Sequence, residues 1–172
     1  MTIAQSLLPE FDAEMKATRP YIERAPEDKY SWRPHDKSMR LGRLATHLAE
    51  LVIWTTNTIR MNELDIMTPR DEKNHPAIAP SRQWLLEHFD QNVLEARATL
   101  LEARDEAFGE GWTLKAGAHK LWTMPRMDVY RRFAMNHLCH HRGQLSVYLR
   151  LLDIPLPSTY GPSADEGGRP QP

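Results

Sequence analysis

The chain of 172 residues has one cysteine, Cys139, so no intrachain disulfide can form, and a cytoplasmic setting is the natural expectation. Excess charge of either sign is missing too. The 22 basic and 23 acidic residues leave a formal net charge of −1, which gives no support for nucleic-acid binding. Arg126, Arg131, Arg132 and Arg142 do cluster, and a solvated helix face is the expected reading. No apolar run approaches the roughly 18 residues that suggest a membrane span. The first residues place Glu10, Asp12 and Glu14 in a short amphipathic pattern, without the basic start and apolar block of a signal peptide. Internal repeats and low-complexity tracts are absent. What remains is a chain long enough for one domain with a sizeable core.

Four long segments carry helical periodicity. The first runs from about Ile3 to Arg24, with Leu7, Leu8, Phe11, Met15 and Ile22 apolar, and Pro20 marks a kink or an early end. The second spans about Ser38 to Asn62. The residues from Glu63 to Pro80 hold three prolines and read as a long loop. Ser81 looks like the N-cap of the third helix, which ends near Glu110 or a few residues earlier. The fourth starts near Met127 and stops before Pro155. Between the last two, Trp112 to Trp122 alternates weakly around Gly117 and reads as either a short hairpin or an ordered loop. The expected fold is all-α, a four-helix bundle. Residues 1–166 form one domain, and 167–172 are expected to be a disordered tail.

Three histidines fall where core helices should hold apolar side chains. His137, His141 and Gln144 share a wheel face with Tyr130, Phe133, Ala134, Leu145, Tyr148 and Leu152. His47 lies among Leu44, Leu48, Leu51 and Trp54. Buried imidazoles must be hydrogen-bonded or bound to something, and one divalent metal would satisfy all three. A His-x-x-x-His pair is weak evidence by itself. In a chain with 8 histidines among 172 residues, chance gives roughly 0.4 such pairs. The core positions and the third histidine make the case for metal ligation.

The other candidates rank lower. His140 sits at the edge of the stripe and Glu50 flanks His47; both read as solvated or as supports for a ligand. Gln144 could orient a ligand or hold a water. His35, His75 and His119 lie in predicted loops and read as surface, and His88 could face either way. Gly143, Cys139 and Ser146 form a small-residue face opposite the histidines, suited to close approach by a neighbouring helix or a second subunit. Cys139 is not expected to be a nucleophile. Trp54, Trp84, Tyr130, Phe133 and Tyr148 read as core rather than as a ligand cage.

The run Asn136-His-Leu-Cys-His-His-Arg-Gly-Gln-Leu145, with Leu44-Ala-Thr-His-Leu-Ala-Glu50 upstream, resembles the DinB-like (DNA-damage-inducible) superfamily. Tyr30-Ser-Trp-Arg-Pro34 and Pro157-Ser-Thr-Tyr-Gly-Pro-Ser-Ala-Asp-Glu166 are similar to two further stretches of that family. The resemblance covers nearly the whole chain. It implies a four-helix bundle with a long crossover connection, often dimeric. It also implies a divalent metal on His47, His137 and His141; three neutral imidazoles suit zinc, nickel, iron or copper, so ligand type does not choose among them. Some members of the family are similar to thiol S-transferases using a low-molecular-weight thiol, others to metal-dependent hydrolases.

Three protein ligands leave a coordination position for water or substrate, as in catalytic rather than structural sites. Two readings follow: a metal-dependent enzyme of the thiol-transferase or hydrolase type, and a non-catalytic metal-binding homodimer with a structural or stress-related role. An open cleft beside the histidines would favour the first and a closed site the second. A di-iron carboxylate bundle needs Glu-x-x-His pairs, and no Glu stands three residues before His47, His137 or His141.

Overall fold

Thr2 opens the first helix with a reciprocal cap: its hydroxyl accepts from the Gln5 amide, and the Gln5 side chain accepts from the Thr2 amide. In the computed structural model, which describes residues 1–69, 71–73 and 75–167, α1 (Ile3–Arg24) runs past Pro20 and buries Leu7, Leu8, Phe11, Met15 and Ile22. The second helical segment is broken at Val52 into α2 (Leu41–Leu51) and α3 (Ile53–Arg60). It starts later than its pattern suggests because the approach is tied down by the backbone. Leu41 and Gly42 donate to the carbonyls of Trp32 and Tyr30. A Cβ on Gly42 would lie 2.8 Å from both Ile78 and Tyr30, so only glycine fits that crossing.

Ser81 caps α4 (Arg82–Glu102), accepting from the Trp84 amide at 3.1 Å. The last rod is continuous but not uniform. It comprises α5 (Arg126–Val129), a π-helical stretch at Tyr130–Asn136, and α6 (His137–Leu151). Among the described residues the long helices form four rods packed about one core. Around that core the order is α1, α4, α2–α3 and then α6, which returns to α1. The core is built from Phe11, Ile22, Leu44, Leu48, Leu85, Phe89, Leu100, Tyr130 and Leu145, each fully or nearly fully buried.

The fold is not all-α. A three-stranded mixed sheet caps one end, formed by β1 (Glu63–Asp65), β2 (Gly111–Ala116) and β3 (His119–Pro125). β2 and β3 form an antiparallel hairpin with an irregularity at Leu114/Lys115. Gly117 takes φ +59 in its tight turn, a conformation that side chains resist. β1 lies inside the segment expected to be a loop, and pairs in parallel with β2. Three residues are too few to show an alternating pattern, so the pairing is supplied by tertiary contacts. The Asp65 carboxylate accepts from the amides of Gly117 and Met67, each at 2.9 Å, and those bonds hold its pKa below the usual range.

After α6 the chain folds back along α1. Tyr21 and Thr159 share a 2.7 Å hydrogen bond, Arg142 donates to the Tyr160 hydroxyl at 2.6 Å, and Arg24 pairs with Glu166. Of the stretch expected to be a disordered tail, Gly167 bridges to Ser163, and residues 168–172 lie outside the described residues. No helix among the described residues is long and apolar enough to cross a membrane.

Candidate metal centre

His47 projects from the middle of α2, while His137 and His141 stand one turn apart at the start of α6. The π-helical stretch immediately precedes His137. A wider turn there rotates everything that follows, and so sets the direction in which the pair points. One ligand atom from each of the three histidines lies within 4.8 Å of the others, a group that could hold a metal ion. The ring centroids of His47 are 5.2 Å from His137 and 4.6 Å from His141. The Nε2 atoms of His137 and His141 are 2.8 Å apart. His141 is buried, whereas His47 and His137 are half-buried, so the cluster reaches the surface.

Gln144 fixes the tautomer of His141. Its Oε1 lies 2.7 Å from Nδ1 of His141. A carbonyl oxygen only accepts, so Nδ1 carries the proton and the lone pair of Nε2 faces His137. Burial lowers the pKa of both His137 and His141, and the neighbouring His140 lowers each further. The Phe133 carbonyl and the Gln144 side chain oppose this more weakly. By strict geometry Nδ1 of His137 has no partner; the Phe133 carbonyl is only close. Neutral, converging imidazoles are the donor set that a borderline divalent ion requires.

Around the cluster, Arg43 and Glu50 form a 2.9 Å ion pair along α2, both half-buried. Arg43 also disfavours protonation of His141. Beyond Glu50 a cleft of about 440 Å³ opens, lined by Glu50, Ile53, Trp54, Asn57, Leu64, Pro69, Asp71 and His75. A set of aromatic rings runs beside it. Trp54 stacks on Phe133 at 5.6 Å, Phe133 on Trp122 at 4.8 Å, and Trp112 contacts both tryptophans.

The flanking residues divide. Gln144 touches His141 directly, whereas His140 is exposed and acts on the pair through its charge. Glu50 is engaged by Arg43 and lines the cleft. His35 and His119 are exposed. His75, expected at the surface, lines the cleft, and His88 stacks on Trp84 at 4.6 Å. Trp54 and Phe133, expected in the core, are half-buried, while Tyr130 and Tyr148 are buried. Reading the arginine cluster as one solvated face is corrected by Arg126 and Arg142, each 4% exposed. Arg142 pairs with buried Glu14 at 2.7 Å, a partner distant in sequence that no helical spacing announces. Burial pushes the Cys139 thiol pKa up, which keeps it protonated and a poor nucleophile. The π-helical stretch and the cleft residues Leu64, Asp71 and His75 carry no pattern that would have marked them.

Several known proteins are similar to this chain. The protein YrdA of Bacillus subtilis (strain 168) is 25% identical over 162 residues, covering 91% of this chain and 86% of its own. The crystal structure of the DinB-like protein YjoA from Bacillus subtilis superposes with a TM-score of 0.65 at 18% identity, covering 95% of this chain and 99% of its own. That of a DinB-like protein from Bacillus cereus ATCC 10987 gives 0.69 at 17% identity, covering 91% and 97%. These two similarities concern the fold. The sequence model of the DinB family matches residues 1–171, and the chain belongs to that family.

Proposed function

We propose that His47, His137 and His141 bind one divalent metal ion, and that the protein is a metal-dependent enzyme acting on a small molecule, of the thiol S-transferase or hydrolase type. Zinc, nickel and iron all suit three neutral imidazoles. The observation that carries the reading is the surface-reaching cluster with a cleft starting one turn away at Glu50. A structural metal site is closed by its ligands, whereas a reactive one keeps a position open. The ion would supply Lewis acidity, enough to make a thiol or a water nucleophilic at neutral pH. The chain's own residues do the rest. Gln144 holds His141 in the tautomer that presents Nε2. Burial keeps His137 and His141 unprotonated. The Arg43–Glu50 pair stiffens the helix that carries His47. A cytoplasmic setting, where a low-molecular-weight thiol is abundant and Cys139 stays reduced, agrees with this use. We further infer a homodimer.

The test is elemental analysis of the purified protein, followed by cobalt substitution. About one ion per chain is expected. In the cobalt protein a small thiol should change the visible absorption by direct coordination. No response to thiols, azide or imidazole would mean a closed position, and would favour a non-catalytic metal-binding role.

A further inference from the structure

The cleft that opens at Glu50, one turn along α2 from His47, has a composition that selects its occupant. Ile53, Trp54 and Leu64 supply apolar surface, while Glu50, Asn57, Asp71 and His75 supply polar groups. We propose that the cleft binds a flat, apolar, preferably aromatic body that stacks on Trp54, with its reactive polar end directed toward the histidines. This rests on the reading of the cluster as a reactive metal centre, and it names the class of substrate.

Three observations carry it. The Trp54 indole is half-buried although the fold has ample core to hide it, so part of its surface remains on the cleft wall. The ring is held in place. It lies nearly parallel to Phe133 at 23°, and Phe133 lies nearly parallel to Trp122 at 17°. A ring fixed by such a stack offers a preformed face and loses little rotamer freedom when a ligand covers it. The placement is direct as well. Glu50 and Trp54 follow His47 by one and two turns of the same rod, and Phe133 precedes His137 by one helical step. A cleft of about 440 Å³ is within the size range of small-molecule sites. It accommodates a substituted ring, whereas the stacked wall adds nothing for a short hydrophilic thiol.

The experiment uses the metal-free full chain, so that its outcome is separate from that of metal binding. The indole N–H signals of the five tryptophans are assigned by single Trp-to-Phe replacements and followed by NMR during titration with benzyl mercaptan or 2-mercaptoethanol. Benzyl mercaptan should move the Trp54 signal saturably, and 2-mercaptoethanol at equal concentration should leave it in place. Trp54→Leu should weaken benzyl mercaptan binding about tenfold, and Trp54→Phe should restore most of it. Leu64→Glu, which leaves the ring stack intact, should weaken it comparably. The proposal is overturned if the ligand moves only Trp32 or Trp84, or if the folded Trp54→Leu or Leu64→Glu protein binds as tightly as the wild type. A protein that takes up no stoichiometric metal yet shows these shifts would sink the metal reading and leave this cleft assigned.

Discussion

The proton on Nδ1 of His141 is held by Gln144, and that one bond decides which nitrogen is available to an ion. Gln144→Ala should therefore lower metal affinity by about tenfold to a hundredfold without removing a ligand. Replacing His47, His137 or His141 by alanine should abolish stoichiometric binding, measured by calorimetry and metal content; full content in any of the three would refute the ligand set. The pH response has a definite sign. Unfolded histidines take up protons near pH 6.5, while the folded environment keeps His137 and His141 neutral to lower pH. The unfolded state thus binds more protons in that window. Stability of the metal-free protein should fall as pH drops below about 6.5 and level off below the folded values. Metal affinity should weaken over the same descent once the folded rings protonate. Denaturant melts at stepped pH would show the reverse slope if the folded environment raised the two pKa values instead of lowering them. A separate residue-scale device is the Glu14–Arg142 pair, with side chains only 11% and 4% exposed. Glu14→Ala leaves a buried guanidinium uncompensated and should cost about 3 kcal/mol or more. Tyr160→Phe, which removes only a hydroxyl that contacts both partners, should cost about 1 kcal/mol.

At the scale of elements, the helices were legible because period and caps agree. Ser81 stands at its N-cap, and the first helix ends at Arg24 as the apolar spacing implies. The sheet was only half visible. Gly117 and the weak alternation around it allowed the hairpin, but three-residue β1 has no sequence period and exists because β2 offers it an edge. The π-helical stretch was invisible for another reason, since a wheel drawn at 3.6 residues per turn assumes the register that the stretch changes. That stretch makes a prediction. Deleting one residue within Tyr130–Asn136, which removes the extra residue that the wide turn accommodates, should convert it to α-helix with His137 and His141 still facing His47, so that the variant keeps its metal content; loss of metal in a protein that still melts cooperatively would refute this. The end of α6 makes another. Asp153 occupies φ 56, and Ile154 and Asp153 donate to the carbonyls of Leu149 and Arg150, a closing motif that usually employs glycine. Asp153→Gly should raise stability by about 1 kcal/mol, read from the urea midpoint.

For the whole molecule, the three histidines meet as their wheel positions imply, because each lies on a face that a compact set of rods must turn inward. The cleft was not legible, because it is assembled from α2, α3, β1 and the loop between β1 and α4, segments whose spatial neighbours no local pattern reveals. The outer faces bear on assembly. Gly143, Val147 and Leu151 recur every four residues along α6 and so share one stripe. Val147 and Leu151 are 56% and 58% exposed, and among the described residues no atom lies within 4 Å of a Cβ built on Gly143. Among the described residues the glycine therefore serves no close approach. If the stripe is the dimer face, the close approach is made by a second copy, and a side chain at 143 would obstruct it. Light scattering at micromolar concentration should give twice the chain mass of 19.9 kDa. Gly143→Leu and Val147→Asp should each shift it toward the single-chain value. Gly143→Ala separates the two contributions of this position. In an isolated chain it should only stabilise the helix, by about 1 kcal/mol. In a dimer packed on this stripe the same methyl should weaken association, so that the gain appears in the monomer and is offset in the assembled protein. A mass of 19.9 kDa for the wild type, with Gly143→Ala simply more stable, would refute the dimer.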